Sequence, residues 1–229
     1  MGNRSQNVRV PTQDRAMETK KRIREAAEML FSQKGYHHTN SKEIARSAGV
    51  ATGSFYAYYK DKGELFCSIV EMYYLQIFDE IKQIGTRALE KKGPPMAVVK
   101  ELLIALYNAH TIEPGLHREI TILLLESKSP SSCKSSDAQL YAKVRSYVER
   151  LDREVLTWVE GLIGRLYPSL KETKKALVAT LIFTVCEQLV HELRLSEKSQ
   201  QESLVLLQEL SQMVEAYLVQ VGVEGSAPI

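Results

Sequence analysis

Between Thr39 and Lys62 the chain reads TNSKEIARSAGVATGSFYAYYKDK, two short helical patterns on either side of Ala48-Gly49-Val50. That arrangement is a helix-turn-helix, and the rest of the chain has to be read as its support and control. Asn40 and Glu43 stand at capping-box spacing, each able to satisfy the other's backbone amide, which starts a helix near Ser41. Ile44, Ala45 and Ala48 then form a narrow apolar stripe, with Ser41, Lys42 and Arg46 pointing elsewhere. Gly49 takes a left-handed conformation at little cost, so it ends the helix and redirects the chain.

The second helix is expected from Thr52 to Tyr59, with Phe55 and Tyr59 docked inward and Thr52, Gly53, Ser54, Tyr56 and Tyr58 outside. Small and hydroxylated residues at such a helix start suit close approach to a nucleic-acid backbone and to base edges. Lys60 and Lys62 follow, where ammonium groups can pair with phosphates. Together with Ser41 and Lys42 these residues make the candidate DNA-binding set.

At Ile23, Ala26, Ala27, Leu30, Phe31 and Gly35, then Thr39, Ile44, Ala45, Ala48, Gly49 and Val50, then Phe55, Tyr56, Tyr59, Lys62, Glu64 and Leu65, the chain resembles the TetR family of bacterial transcription regulators. The likeness covers the first quarter to third of the chain, and so many positions in order are far more specific than a short motif. Two positions depart from the family pattern. Ala51 stands where Ser or Thr is frequent, which leaves Thr52 as the expected cap, and Gly63 loosens the start of the next helix.

Charge agrees with this division. Residues 1–62 hold 12 Lys and Arg against 6 Asp and Glu, whereas residues 63–229 hold 18 against 22, so the basic excess sits with the helix-turn-helix, where a polyanion would be met. The bland reading of Lys20, Lys21, Arg22 and Arg24 is a solvated helix face. With 44% apolar and 25% charged residues, the chain has an ordinary globular balance and enough apolar material for a sizeable core. Cys67, Cys133 and Cys186 are few and far apart, which argues against a disulfide framework or a metal site and fits a reducing cytoplasm. His37, His38, His110, His117 and His191 lack zinc-ligand spacing, and nucleophile-elbow and phosphate-loop motifs are missing. No enzyme, metal or cofactor is therefore expected. The amino terminus has no apolar signal region, and the longest apolar run falls short of a membrane span.

The pattern is helical throughout, so the expected fold is all-α with about nine helices: a three-helix head followed by a helical ligand-binding and dimerisation domain. Residues 1–13 are a flexible arm, 14–60 the DNA-binding domain, 61–221 the larger domain and 222–229 a tail. The first helix runs from Asp14 to Lys34, and Ile23, Leu30, Phe31, Ile44, Phe55 and Tyr59 share the head's core. Asp61 caps the fourth helix, with Glu64 completing the box. That helix leaves the head and links it mechanically to the remainder.

The eighth helix is apolar almost all round, and the ninth repeats its demand for a second buried face. Ile182, Val185, Leu189, Leu204, Leu207, Leu210, Val214 and Tyr217 are accordingly expected at a homodimer interface, a four-helix bundle across a two-fold axis. The resemblance implies a repressor that binds a double-stranded DNA operator and is released by a small-molecule effector held between the fourth and the seventh or eighth helices. Tyr73, Tyr107, His110, His117, Trp158 and Glu187, polar or aromatic among apolar residues, are the candidates to line that pocket. The competing reading is an architectural or partner-binding DNA-binding protein with no effector, which would lack a usable cavity.

Overall fold

The structure, a computed structural model, describes residues 12–91, 95–109, 114–128, 138–196 and 198–224. Among these residues there are nine helices and no strand: α1 (Thr12–Lys34), α2 (Ser41–Ser47), α3 (Thr52–Tyr58), α4 (Lys62–Glu90), α5 (Pro95–Ala109), α6 (Pro114–Lys128), α7 (Ala138–Leu166), α8 (Glu172–Leu195) and α9 (Gln200–Glu224). Helix α1 already includes Thr12 and Gln13, and α9 continues to Glu224, so both run past the bounds read from sequence. The remainder of the arm, the loop containing Cys133, His110 and residues 225–229 lie outside the described residues.

Asn40 caps α2, its Oδ1 accepting from the Glu43 amide at 3.0 Å. The Glu43 carboxylate does not return the bond, because it pairs instead with the Lys34 ammonium. Gly49, at φ +64, closes α2 with a Schellman pair, its N–H donating to the Arg46 carbonyl and the Val50 N–H to that of Ala45. Ala51, not Thr52, holds the cap position of α3 and supplies no side-chain bond. Asp61 caps α4, accepting from the Glu64 amide at 2.8 Å, and Glu64 reaches back one residue farther than expected, to the Lys60 N–H. Gly63 is not a loose point: a Cβ there would stand 3.2 Å from Asp61 Oδ1 and 3.4 Å from the Tyr36 hydroxyl.

The head core contains Ile23, Leu30, Phe31, Ile44, Phe55 and Tyr59, all buried, and continues without a break into α4 through Leu65, Phe66 and Ile69. Helix α4 then packs on α5 and α7, α6 on α1 and α7, α7 on α8, and α9 on α5. Trp158 of α7 presses on α4 at Gly85, where a Cβ would come within 2.8 Å of the indole ring, so glycine is needed for that approach.

The carboxy-terminal helices differ from expectation in which face they bury. Helix α9 turns Leu207, Leu210 and Val214 into its own subunit, because they repeat at the spacing that meets α5. These three do not face outward, and Ile182, Val185, Leu189 and Tyr217 are half-buried against the same cores. The uncovered large apolar side chains are Leu177, Leu181 and Leu195 on α8 and Leu204, Val205, Met213 and Val219 on α9. By length and composition α8 is apolar enough to cross a membrane, contrary to the sequence reading, but Val178, Ala179 and Val190 are buried in the subunit's own core.

Candidate nucleic-acid interface and buried polar cluster

The turn of the helix-turn-helix is held from outside by α1. Arg22 donates from Nε to the Ala48 carbonyl at 3.0 Å and from Nη2 to the Gly49 carbonyl at 2.8 Å, occupying acceptors left open where α2 ends. The arginine read from sequence as part of a solvated basic face is therefore a clasp. Arg24 is likewise turned inward along the surface, toward Glu28 and Met72. Lys20 lies over the Tyr59 ring, and Lys21 pairs with Glu25.

Outward from this frame, α3 presents Tyr56, which is 54% exposed. Thr52 and Ser54 are half-buried, Gly53 is open, and Tyr58 is partly committed to the head core. Lys42 and Lys60 are exposed. Lys62 is not: its ammonium donates to the Tyr36 carbonyl at 2.7 Å and the Thr39 carbonyl at 2.8 Å, and sits 4.0 Å from the centre of the Tyr36 ring. Its first task is to hold the α1–α2 loop. Ser41, Lys42, Tyr56 and Lys62 border one groove of about 560 Å³, which Gln139 and Lys143 of α7 complete. These two were missed from sequence, since nothing in the pattern of α7 tells which turn meets the head.

The second constellation lies inside the larger domain. His117 of α6 is only 2% exposed, tilted against Tyr73 of α4 with centroids 6.3 Å apart and stacked on His191 of α8 at 5.0 Å. His191 Nε2 is 3.7 Å from Glu187 Oε1. Tyr73, His117 and Glu187, three of the residues singled out in the sequence, thus lie in one run of contacts that passes through His191. Asp152 of α7 belongs to the same group: burial first, and then the Glu187 carboxylate, push its carboxyl up to about 6, while His191 pulls it down. Asp152 interrupts the apolar stripe of Val148 and Val155 on α7, and that interruption was the available signal.

Trp158 stands apart, on the wall of an apolar cavity of about 110 Å³ with Leu103, Val159, Phe183, Cys186 and Leu218. Tyr107 stands apart too, buried against Val190 and Leu207 with the Arg194 guanidinium 4.8 Å from its ring centre. Among the described residues no group of three His, Cys, Asp or Glu side chains is placed to hold a metal ion.

A raised carboxyl binds its proton more tightly in the folded than in the unfolded chain. The stability linked to Asp152 is therefore complete below its ordinary 3.8 and is lost as pH rises through about 6. Asp152→Asn is expected to stabilise the protein at pH 8 by about 1–2 kcal/mol, after allowing for solvent at this partly exposed group, and to change little at pH 4. Urea denaturation at the two pH values checks this, and an equal effect at both would refute it.

Residues 23–69 match the family model for the amino-terminal domain of bacterial regulatory proteins of the tetR family. The HTH-type transcriptional regulator AcrR of Shigella flexneri is 36% identical over 119 residues, 50% of each chain. The HTH-type transcriptional regulator TtgR of Pseudomonas putida is 28% identical over 112 residues, 49% of this chain and 52% of its own. The chain thus spans about half the length of these curated relatives. In structure it is similar to the fatty acid degradation regulator FadR of Bacillus halodurans, with a TM-score of 0.61 over 86% of this chain and 94% of that one at 19% identity, a likeness of fold.

Proposed function

We propose, because the chain belongs to the TetR family of bacterial regulatory proteins by way of its head, that it is a cytoplasmic, dimeric, sequence-specific DNA-binding transcriptional regulator, a repressor released by a small molecule. The observation that carries this reading is Tyr56: a large aromatic left more than half uncovered on the helix that follows the turn clasped by Arg22, flanked by the exposed ammonium groups of Lys42 and Lys60. Its ring meets that of Phe55 edge-on at 5.3 Å, and base-edge contact gives the uncovered remainder a use. The lysines supply the phosphate attraction that sets register and salt sensitivity. Two heads on one dimer enter successive major grooves when they stand about 34–36 Å apart, or a multiple of that.

The uncovered leucines of α8 supply a self-complementary surface for the second copy. The apolar cavity beside Trp158 and, apart from it, the polar group around His117 are the two places proposed for an effector. An effector shifts the heads only by as much as it prefers one head spacing over the other.

Footprinting on DNA flanking the protein's own gene tests the reading. Tyr56→Ala is expected to weaken the protected site about 10- to 100-fold without altering the dimer. Lys60→Ala is expected to weaken all DNA alike and to lower the salt slope by about 1. Wild-type protein with no preferred site at moderate salt would refute the proposal.

A further inference from the structure

Besides the continuous helix α4, the larger domain grips the head through α6, which packs on α1 and also holds the backbone of one residue of the α1–α2 loop, Tyr36. The Tyr36 N–H donates to Glu119 Oε1 of α6 at 2.5 Å, while its carbonyl accepts from Lys62 of α4. Glu119 Oε2 stands 3.2 Å from where a Cβ on Gly35 would be, so the carboxylate fills the space that glycine leaves at φ +83. From Tyr36 the chain runs in four residues to Asn40, the cap of α2. Thr39 ties this run together, its hydroxyl donating to the Gly35 carbonyl at 2.9 Å. Whatever moves the Tyr36 peptide therefore moves the start of α2 and with it Ser41 and Lys42.

Helix α6 is well placed to do so. Gly115 meets α1 at backbone range, where an added Cβ would come within 2.8 Å of Ser32 Cβ and 2.9 Å of its carbonyl oxygen. Half a turn farther along, His117 is buried against His191 and Tyr73. One short helix thus touches the head with Gly115 and Glu119 and this polar cluster with His117, and packed helices shift as rigid pieces.

We propose that Glu119 is a positioning residue for DNA reading: through its bond to the Tyr36 amide, α6 sets the α1–α2 loop and couples the polar cluster around His117 to the head. This rests on the functional reading above and adds to it the route by which the domains communicate. It does not depend on the identity of any effector, because coupling between two sites is reciprocal. If α6 sets the head, a head docked on its operator must be felt at α6.

The experiment uses the full-length dimer, the footprinted operator fragment and an unrelated fragment of equal length, with hydrogen exchange read by mass spectrometry. In wild type, operator is expected to slow exchange at residues 116–124 as well as in the head, and the unrelated fragment is not. Glu119→Ala is expected to abolish the response at 116–124, speed exchange at residues 35–43, and lower the ratio of specific to non-specific affinity about 10-fold. Glu119→Gln keeps an acceptor oxygen and is expected to restore most of both. Simple destabilisation would lower affinity for both fragments together and would not be rescued in this way. Should Glu119→Ala fail to fold, Gly115→Ala tests the same contact from its other end, by pushing α6 off Ser32 with the carboxylate intact, and is expected to weaken the same response. A response at 116–124 that survives Glu119→Ala, or wild type that binds operator with no response there, overturns the proposal. Wild type with no preferred fragment overturns the functional reading itself.

Discussion

Leu181→Glu is expected to convert the dimer to monomers and to lower operator affinity about 100- to 10,000-fold, the range by which linking two binding modules raises avidity. Leu181 is 46% exposed and its neighbour one turn back, Leu177, 66%. Neither contributes much to its own subunit, so the substitution leaves the monomer's fold almost untouched. Across a two-fold axis the same substitution brings two carboxylates toward one another in a surface that would otherwise lose water. Sedimentation at micromolar concentration should change from twice the subunit mass to the 25.9 kDa of one chain. A variant that stays dimeric would move the interface off this face of α8, and a wild type of monomer mass would remove it.

The second large effect concerns the joint between head and larger domain. Phe66 of α4 is fully buried, its ring 5.3 Å from that of Phe31 in an edge-on contact and 5.1 Å from that of Tyr36. Phe66→Ala removes a ring from the point where α1, the α1–α2 loop and α4 meet, and large-to-small changes of this kind cost about 3–5 kcal/mol. Against a total of about 5–15 kcal/mol that is about a fifth or more of the stability. Denaturant titration should show a markedly lower midpoint, and operator binding should fall with it. The contrast with Tyr56→Ala is informative, since the exposed tyrosine is expected to affect binding and leave stability alone. A Phe66→Ala protein with unchanged midpoint would mean that the joint does not carry the head.

Helix starts and stops were readable because their causes are local. Asn40, Asp61, Gly35 and Gly49 each act within four residues of their own position, and the apolar positions of the head repeat at helical spacing. What the sequence could not tell was direction. Arg22 and Lys62 look from their neighbours like phosphate-seeking cations, yet both spend their donors on carbonyls more than twenty residues away. Spacing gives α9 an apolar face without naming the helix that covers it, so Leu207, Leu210 and Val214 went to a partner subunit when α5 claims them. The polar cluster around His117 was half legible. Tyr73, His117 and Glu187 stand out as polar residues among apolar ones, whereas the arrival of Asp152 and His191 beside them depends on how four helices cross.

The chain has a single tryptophan, and it is the one that leans on Gly85 and faces the apolar cavity. Nature has in effect installed a fluorophore at the wall of the compartment. Its emission can follow occupancy of that space directly, in unlabelled protein, against a background of tyrosines alone, so a compound library can be screened by colour shift before any operator is known.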